Sequence, residues 1–362
     1  MPGTCVFCGS VGTMTGEHVL GDWLNRIGQD LEPVTHSAGW LNQIGRQMGP
    51  PQRPYQQKVR DVCGECNSGW MSSLERKAQR VLTPLILGEA GVISLQDQGA
   101  IAMWVQKTAL TAMLLSSSKD RAEGYGLPAA EYHALYALRE ESLPMAPSQF
   151  WVGRYEGSRS PAVRVTPMTV RIDGVEELDQ PQGYAIAVVI GGLALQGLRF
   201  TTPSLAVRAN CRLPMQQFWP RPSSLTLSTG QPITDESFLR FVSARDLSSS
   251  EAGIALEPWG PAVDAPQSRL VAGVVELPAI CGKHVLHYPA SLVQEAGRGR
   301  FYVFGTSCEC PMSYLIHTES NGAHCKAADS AEVISQLYES EPGGENLIEG
   351  IGGAFACKRL PT

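Results

Sequence analysis

Apolar residues recur at Trp70, Leu74, Ala78, Val81 and Leu82, the spacing of one helix face. Glu75, Arg76, Lys77 and Arg80 fall on the other face, and Pro84 is expected to end the helix. Ser94, three residues before Asp97, can cap a second helix with an apolar stripe of Ile101, Trp104, Val105, Thr108 and Ala112, expected to pack on the first. From Phe150 to Thr202 the pattern changes to short β-rich runs, FWVGRY, VRVTPMTVRI and YAIAVVIGGLALQGLRF, separated by Gly, Pro and Asp turns, which predicts an antiparallel sheet. The longest uncharged apolar stretch, Tyr184 to Leu198, is interrupted by Gly191-Gly192 and Gln196, so it reads as two buried strands and a turn, not a membrane span. Residues 203–268 are rich in Pro and Ser and are expected to form loops and a connector, with one helix near Ser237 to Val242. A strand is expected within Gly299 to Gly305, and Asp329 with Glu332 should open a short helix through Ile334 and Leu337. The expected class is α+β: a cysteine-bearing finger over 1–90, a helical connector over 91–147, a β-rich domain over 148–245 and an α+β C-terminal region over 246–362.

Length and composition, 362 residues with 43% hydrophobic, allow at least one full core. A net charge of −6 argues against coating nucleic acid by bulk electrostatics. The charge is uneven, however: residues 1–80 carry a small positive excess, and Pro33 to Arg60 holds Arg46, Arg53, Lys58 and Arg60 with no acidic residue. This basic loop is either an ordinary solvated segment or a track for phosphates. The start MPGTCVFCGS shows no basic region followed by an apolar run, so no secretory signal is expected, the protein reads as cytoplasmic, and no membrane association is expected. In a reducing compartment, paired cysteines more often hold metal than form disulfides.

Cys5-Val-Phe-Cys8-Gly9 and Cys63-Gly-Glu-Cys66 are two C-x2-C knuckles. Each brings two thiolates to one tetrahedral ion at about 2.3 Å, so the four sulfurs predict a structural Zn2+ site. Beside the knuckles sit Thr15-Gly-Glu17-His18-Val19 and, directly after Cys66, Asn67 at the start of the amphipathic helix.

This arrangement resembles the HNH (His-Asn-His, ββα-metal) endonuclease family in its zinc-knuckle branch. The resemblance covers about the first 115 residues, including Cys66-Asn-Ser-Gly-Trp-Met-Ser-Ser-Leu-Glu75 and Trp104…Lys107-Thr108-Ala109. It implies a zinc-stapled, treble-clef-like ββα-metal finger. Within that finger it implies His18 as general base, Glu17 and Asn67 as ligands of a catalytic Mg2+ or Mn2+, and Cys5, Cys8, Cys63 and Cys66 as the zinc clamp. The implied activity is hydrolysis of phosphodiester bonds in nucleic acid, with DNA as the expected substrate, and a role as a defence effector is the analogy such domains suggest. Two positions depart from the family pattern. No Asn lies in Gln56 to Val62, where the family places the residue that orients the histidine, which leaves Asn42 or Gln57 as substitutes. Gly21 stands where a Pro usually follows the histidine.

Glu and His at adjacent strand positions project to opposite faces unless the hairpin twists or bulges there. A histidine titrating near neutrality can deprotonate water, and a hard divalent ion on oxygen ligands can neutralise phosphate charge. Other residues have plainer readings: His36 as an exposed loop residue, Trp23 and Trp70 as core or staple residues. Cys281, His284, His287, Cys308, Cys310, His317, His324 and Cys325 form a C-terminal cluster whose spacing matches no zinc motif, so buried thiols and surface histidines are the simpler reading. The C-terminal region is a candidate for oligomerisation or for a protein partner. The alternative to an enzyme is a noncatalytic zinc-binding module for nucleic acid or protein.

Overall fold

The computed structural model describes residues 2–29, 32–34, 37–38, 46–47, 50–115, 127–175, 180–202, 205–227 and 230–259, and beyond these the strand backbones at 269–271, 274–278, 285–289, 300–304, 312–319, 322–329, 346–350 and 353–359. The chain divides into two compact units, one of residues 1–36 and 48–259, the other of 37–47 and 260–362. The molecule is α+β, with a four-cysteine cluster near its N-terminus. Among the described residues no helix is long and apolar enough to cross a membrane.

The first unit opens on a three-stranded antiparallel sheet, ordered β1 (Pro2–Thr4), β2 (Val11–His18), β3 (Lys58–Cys63). In β3, buried Val59 alternates with exposed Lys58 and Arg60, and Val62, beyond a register shift, is buried as well. Cys63 leads into a short helical turn, Gly64–Cys66, then an irregular turn, Asn67–Met71, and then helix α1 (Ser72–Ile86). The periodic residues Leu74, Ala78, Val81 and Leu82 are buried as expected. Pro84 does not end the helix. Its missing N–H leaves the Arg80 carbonyl without its helical donor, yet α1 runs on to Ile86 before closing at Gly88, which has φ +81°.

Ser94 caps helix α2 (Leu95–Met113) through the Asp97 N–H, as its sequence predicts. The expected stripe is incomplete, because α2 is buried on all sides from Gln98 to Thr111. One side meets α1, and the other meets an antiparallel sheet of β4 (Ser148–Glu156), β5 (Ala162–Ile172), β6 (Gly183–Ile190) and β7 (Leu193–Phe200). The sheet order is β8-β4-β7-β6-β5-β10, where β8 (Gln216–Trp219) and β10 (Ile254–Pro258) close the edges and β9 (Ile233–Thr234) pairs in parallel with β4. Gly191-Gly192 makes the β6–β7 turn as predicted. Helix α3 (Ala129–Ala137) packs on α2, and its Glu131 accepts from Tyr184 at 2.9 Å and Arg199 at 3.2 Å of the sheet. Inside this core Gln106 of α2 bonds both the N–H and the carbonyl of Met145, whereas Trp104 Nε1 and Thr108 Oγ1 of the same helix are buried without a hydrogen-bond partner among the described residues.

One hydrophobic cluster runs from Cys5 and Phe7 through Leu74, Trp104 and Leu110 to Phe150, Ile186 and Leu195, so finger, helices and one face of the sheet share a core. A smaller cluster around Trp151, Leu198 and Phe200 covers the other face. Residues 203–268, expected as loops, supply both edge strands of the sheet and the predicted helix, here α4 (Asp235–Val242).

In the second unit, Arg269–Val271, Val274–Pro278 and Val285–Pro289 form one antiparallel meander. A five-stranded antiparallel sheet follows, in which Arg300–Phe304, the predicted strand, takes the central place. The helix expected from Asp329 through Leu337 runs into residues 330–345, outside the described residues, and Asp329 itself ends the strand Gly322–Asp329.

Candidate functional site

The two knuckles meet. Gly9, with φ +74°, lets its N–H return to the Cys5 carbonyl at 2.9 Å, which is the tight turn a C-x2-C loop needs. The Cys63 N–H donates to Cys5 Sγ at 3.4 Å, Cys8 Sγ lies 3.6 Å from Cys63 Sγ, and the ligand atoms of Cys5, Cys8, Cys63 and Cys66 all lie within 4.8 Å of one another. Four sulfurs about 2.3 Å from one ion in a tetrahedron stand about 3.8 Å apart, so the cluster is positioned to bind a metal ion and is compatible with zinc.

The β2–β3 pairing shifts register between Thr15 and Glu17, with Thr15 opposite Val62 but Glu17 opposite Val59. The extra residue lies in β3, where Arg60 and Asp61 stand opposite Gly16. Glu17 and His18 both line one cavity of about 200 Å³ together with Asn67. Asp22, Trp23, Glu75 and Arg76 contribute to the same wall.

Each of the three side chains has a defined orientation. The Asn67 amide donates to Thr15 Oγ1 at 3.1 Å and to the Gly16 carbonyl at 3.2 Å. Both N–H groups are thereby committed, which identifies Oδ1 as the remaining acceptor. His18 Nε2 lies 3.5 Å from Asp22 Oδ1, on the 3-10 turn Asp22–Arg26, and Arg26 Nη2 holds the other Asp22 oxygen at 3.3 Å. Burial and then the Lys58 ammonium, its cross-strand partner, push the His18 pKa below the ordinary 6.5, with Asp22 opposing them. The imidazole is therefore mainly neutral at pH 7. Glu17 is 5% exposed and pairs with the wholly buried Lys107 ammonium. Burial raises the Glu17 pKa, while Lys107 works against that rise. Burial disfavours the Lys107 charge, but Glu75 and Glu17 outweigh it and hold the ammonium protonated.

Two wall residues, Glu75 and Asp22, and the buried Lys107 behind them have no site role in the sequence reading. Glu75, assigned to the outer face of its helix, turns inward with its side chain 14% exposed. Its Oε1 lies 2.8 Å from Lys107 Nζ, and its Oε2 accepts from Trp23 Nε1 at 2.6 Å. Lys107 sits inside an apolar run, and a single charge in a helix otherwise sealed from water was the available signal. Asp22 contacts the His18 imidazole. Gly21 also gains a reason: a Cβ there would overlap Glu75 Oε2 and Trp23 Nε1.

Of the expected basic residues, Arg53, Lys58 and Arg60 are exposed, and Lys58 stands opposite His18. Arg46 begins the strand Arg46–Gln47 of the second unit, and its side chain lies outside the described residues, as do His36 and Asn42. Trp23 is buried and Trp70 packs edge-on against Phe7, both in the core role. In the C-terminal cluster, His317 and His324 are register partners across a hairpin, and Cys281, His284, Cys308 and Cys310 lie outside the described residues. No family model matches the chain, and neither a curated protein nor a solved structure does.

Proposed function

We propose that the protein is a metal-dependent endonuclease of the HNH type, hydrolysing phosphodiester bonds in nucleic acid, with DNA as the substrate. The observation that carries this reading is the convergence of Glu17, His18 and Asn67 on one cavity, across a β-bulge, beside a four-cysteine cluster. On this reading residues 1–90 are a ββα-metal finger stapled by Zn2+.

The donors fit a hard divalent ion. Among the described residues Glu17 Oε2 and Asn67 Oδ1 are the acceptors those side chains leave unengaged, both are oxygens, and Glu17, Glu75 and Lys107 sum to one negative charge. Glu17 and Asn67 would hold Mg2+ or Mn2+, which when bound would supply charge neutralisation at the phosphate and at the leaving oxygen. His18, neutral near pH 7 and oriented through Nε2 by Asp22, uses its other ring nitrogen to take a proton from water. The water oxygen then bonds to phosphorus as the bond to the leaving oxygen breaks. Lys58, beside His18, and Arg76, on the wall, supply positive charge for flanking phosphates.

Plasmid nicking in Mg2+ or Mn2+ tests the reading, with wild type and His18→Ala both verified to hold zinc. Nicking by wild type and its loss by 10²- to 10⁴-fold in the variant is the expected result. Tight binding of DNA by both proteins with no nicking by either would replace the nuclease by the noncatalytic zinc-binding module.

A further inference from the structure

Lys107 reaches from α2 to the buried side of the two cavity-wall carboxylates, and its ammonium meets three oxygens: the Glu17 and Glu75 carboxylates and the His18 carbonyl at 3.4 Å. Burying an ammonium with two carboxylates is a poor source of stability, because the lost hydration offsets the attraction and packed apolar side chains often serve as well. The two carboxylates are not equivalent. Glu75 spends one oxygen on Lys107 and the other on Trp23 Nε1. Glu17 spends Oε1 on Lys107, and among the described residues its side chain makes no second hydrogen bond or ion pair. Gly21 adds an independent observation, since any larger residue there would collide with the Glu75–Trp23 hydrogen bond.

We propose that Lys107 and Glu75 are positioning residues for Glu17. Glu75, locked by Trp23, anchors the ammonium. The ammonium fixes Glu17 with Oε1 inward and leaves Oε2 as the single carboxylate oxygen offered to a divalent cation. The inference rests on the nuclease reading above. It also gives Glu75 a part although both of its oxygens are already engaged by Lys107 and Trp23: with Glu75 present the cluster keeps a net negative charge, whereas without it the ammonium belongs to Glu17 alone and an incoming cation has to compete for that carboxylate.

The test is Mn2+ binding to the full, zinc-loaded chain, followed by calorimetry, with plasmid nicking measured alongside. The variants are Glu75→Gln, Lys107→Met and, as a destabilised control in the same helix, Gln106→Ala, whose side chain bonds Met145 and not the carboxylates. Glu75→Gln is expected to raise the Mn2+ Kd about 10- to 100-fold and to recover most of its nicking at saturating Mn2+. Lys107→Met is expected to lose about 10- to 100-fold in nicking even at saturation, with zinc content unchanged. Gln106→Ala should lower the melting temperature and leave the Kd alone. An unchanged Kd in Glu75→Gln, or an equal rise in Gln106→Ala at a matched loss of stability, would reduce the cluster to a fastening between helices and overturn the proposal. If Lys107→Met fails to fold, Glu75→Gln decides by itself. Wild type that neither binds Mn2+ nor nicks DNA overturns the nuclease reading and this inference together, whereas wild type that does both while Glu75→Gln matches it overturns the inference alone.

Discussion

At the scale of single residues, the three groups at the cavity differ in what their loss should do. An amide oxygen is a weak neutral ligand, so Asn67→Ala should lower metal affinity and recover with added Mn2+, whereas His18→Ala removes the base and should not recover. Nicking rates measured across a Mn2+ titration separate the two, and equal, unrescued losses would make Asn67 a hairpin clamp, holding Thr15 and Gly16, and no more. Asp22→Asn should reduce kcat by on the order of tenfold with KM unchanged, because the orientation of His18 changes while the substrate surface does not. Glu17, His18 and Asn67 are singled out by the family resemblance, which looks for an acidic residue and His after the first knuckle and for His or Asn directly after the second, and the three line one cavity. Glu75 and Lys107 were hidden by the rule that served elsewhere: helical periodicity assigns Glu75 to water, and it cannot register that α2 lies across that face and supplies a buried cation.

Single elements carry charge and linkage that no residue carries alone. Strand β3 presents Lys58 and Arg60 to solvent on the face opposite buried Val59, with Arg53 exposed just upstream. Neutralising these three removes up to three phosphate contacts, so the slope of log affinity against log salt should flatten by up to about 0.9 per contact on duplex DNA, with folding and zinc content unchanged. An unchanged slope would direct the search for the nucleic-acid surface elsewhere. A second linkage ties β7 to the strand Ala209–Cys211. Asp246 is wholly buried, accepts from Gln196 at 3.0 Å and Cys211 Sγ at 3.2 Å, and burial raises its pKa from 3.8 to about 6. The folded state therefore binds this proton more tightly than the unfolded chain. Its contribution to stability is complete below pH 3.8 and is lost as pH rises to about 6. Asp246→Asn should gain on the order of 1 kcal/mol relative to wild type between about pH 5 and about pH 7.5. Urea midpoints of the two proteins at both pH values check this, and because the comparison is between the proteins, any zinc linkage common to both cancels. A constant difference would mean that Asp246 titrates alike in both states.

Over the whole molecule, local patterns predicted elements well and boundaries poorly. The Ser94 cap, the Gly191-Gly192 turn and the strand Arg300–Phe304 follow from short-range chemistry. That residues 203–268 complete a sheet begun some fifty residues earlier does not, since short irregular strands become recognisable only against the edges they cover. The shared core has a consequence for metal removal. The cluster is continuous from Cys5 and Phe7 to Phe150 and Leu195, so the finger is not a separable appendage of the helices and sheet. Thiolate ligation couples metal binding to folding, and structural zinc in isolated fingers contributes about 10–16 kcal/mol. A strong chelator, or Cys63→Ala, should therefore lower the melting temperature of the first unit as one transition, with near-ultraviolet signals from Trp23 in the finger and Trp151 in the sheet lost together. Purified protein should carry about one equivalent of zinc. Less than about half an equivalent with the finger still folded would remove the four-cysteine site from the account. Loss of the Trp23 signal at a temperature where Trp151 keeps its own would mean that the finger melts alone, and that the contacts of α2 with the hairpin are too weak to carry strain from the cysteines into the sheet.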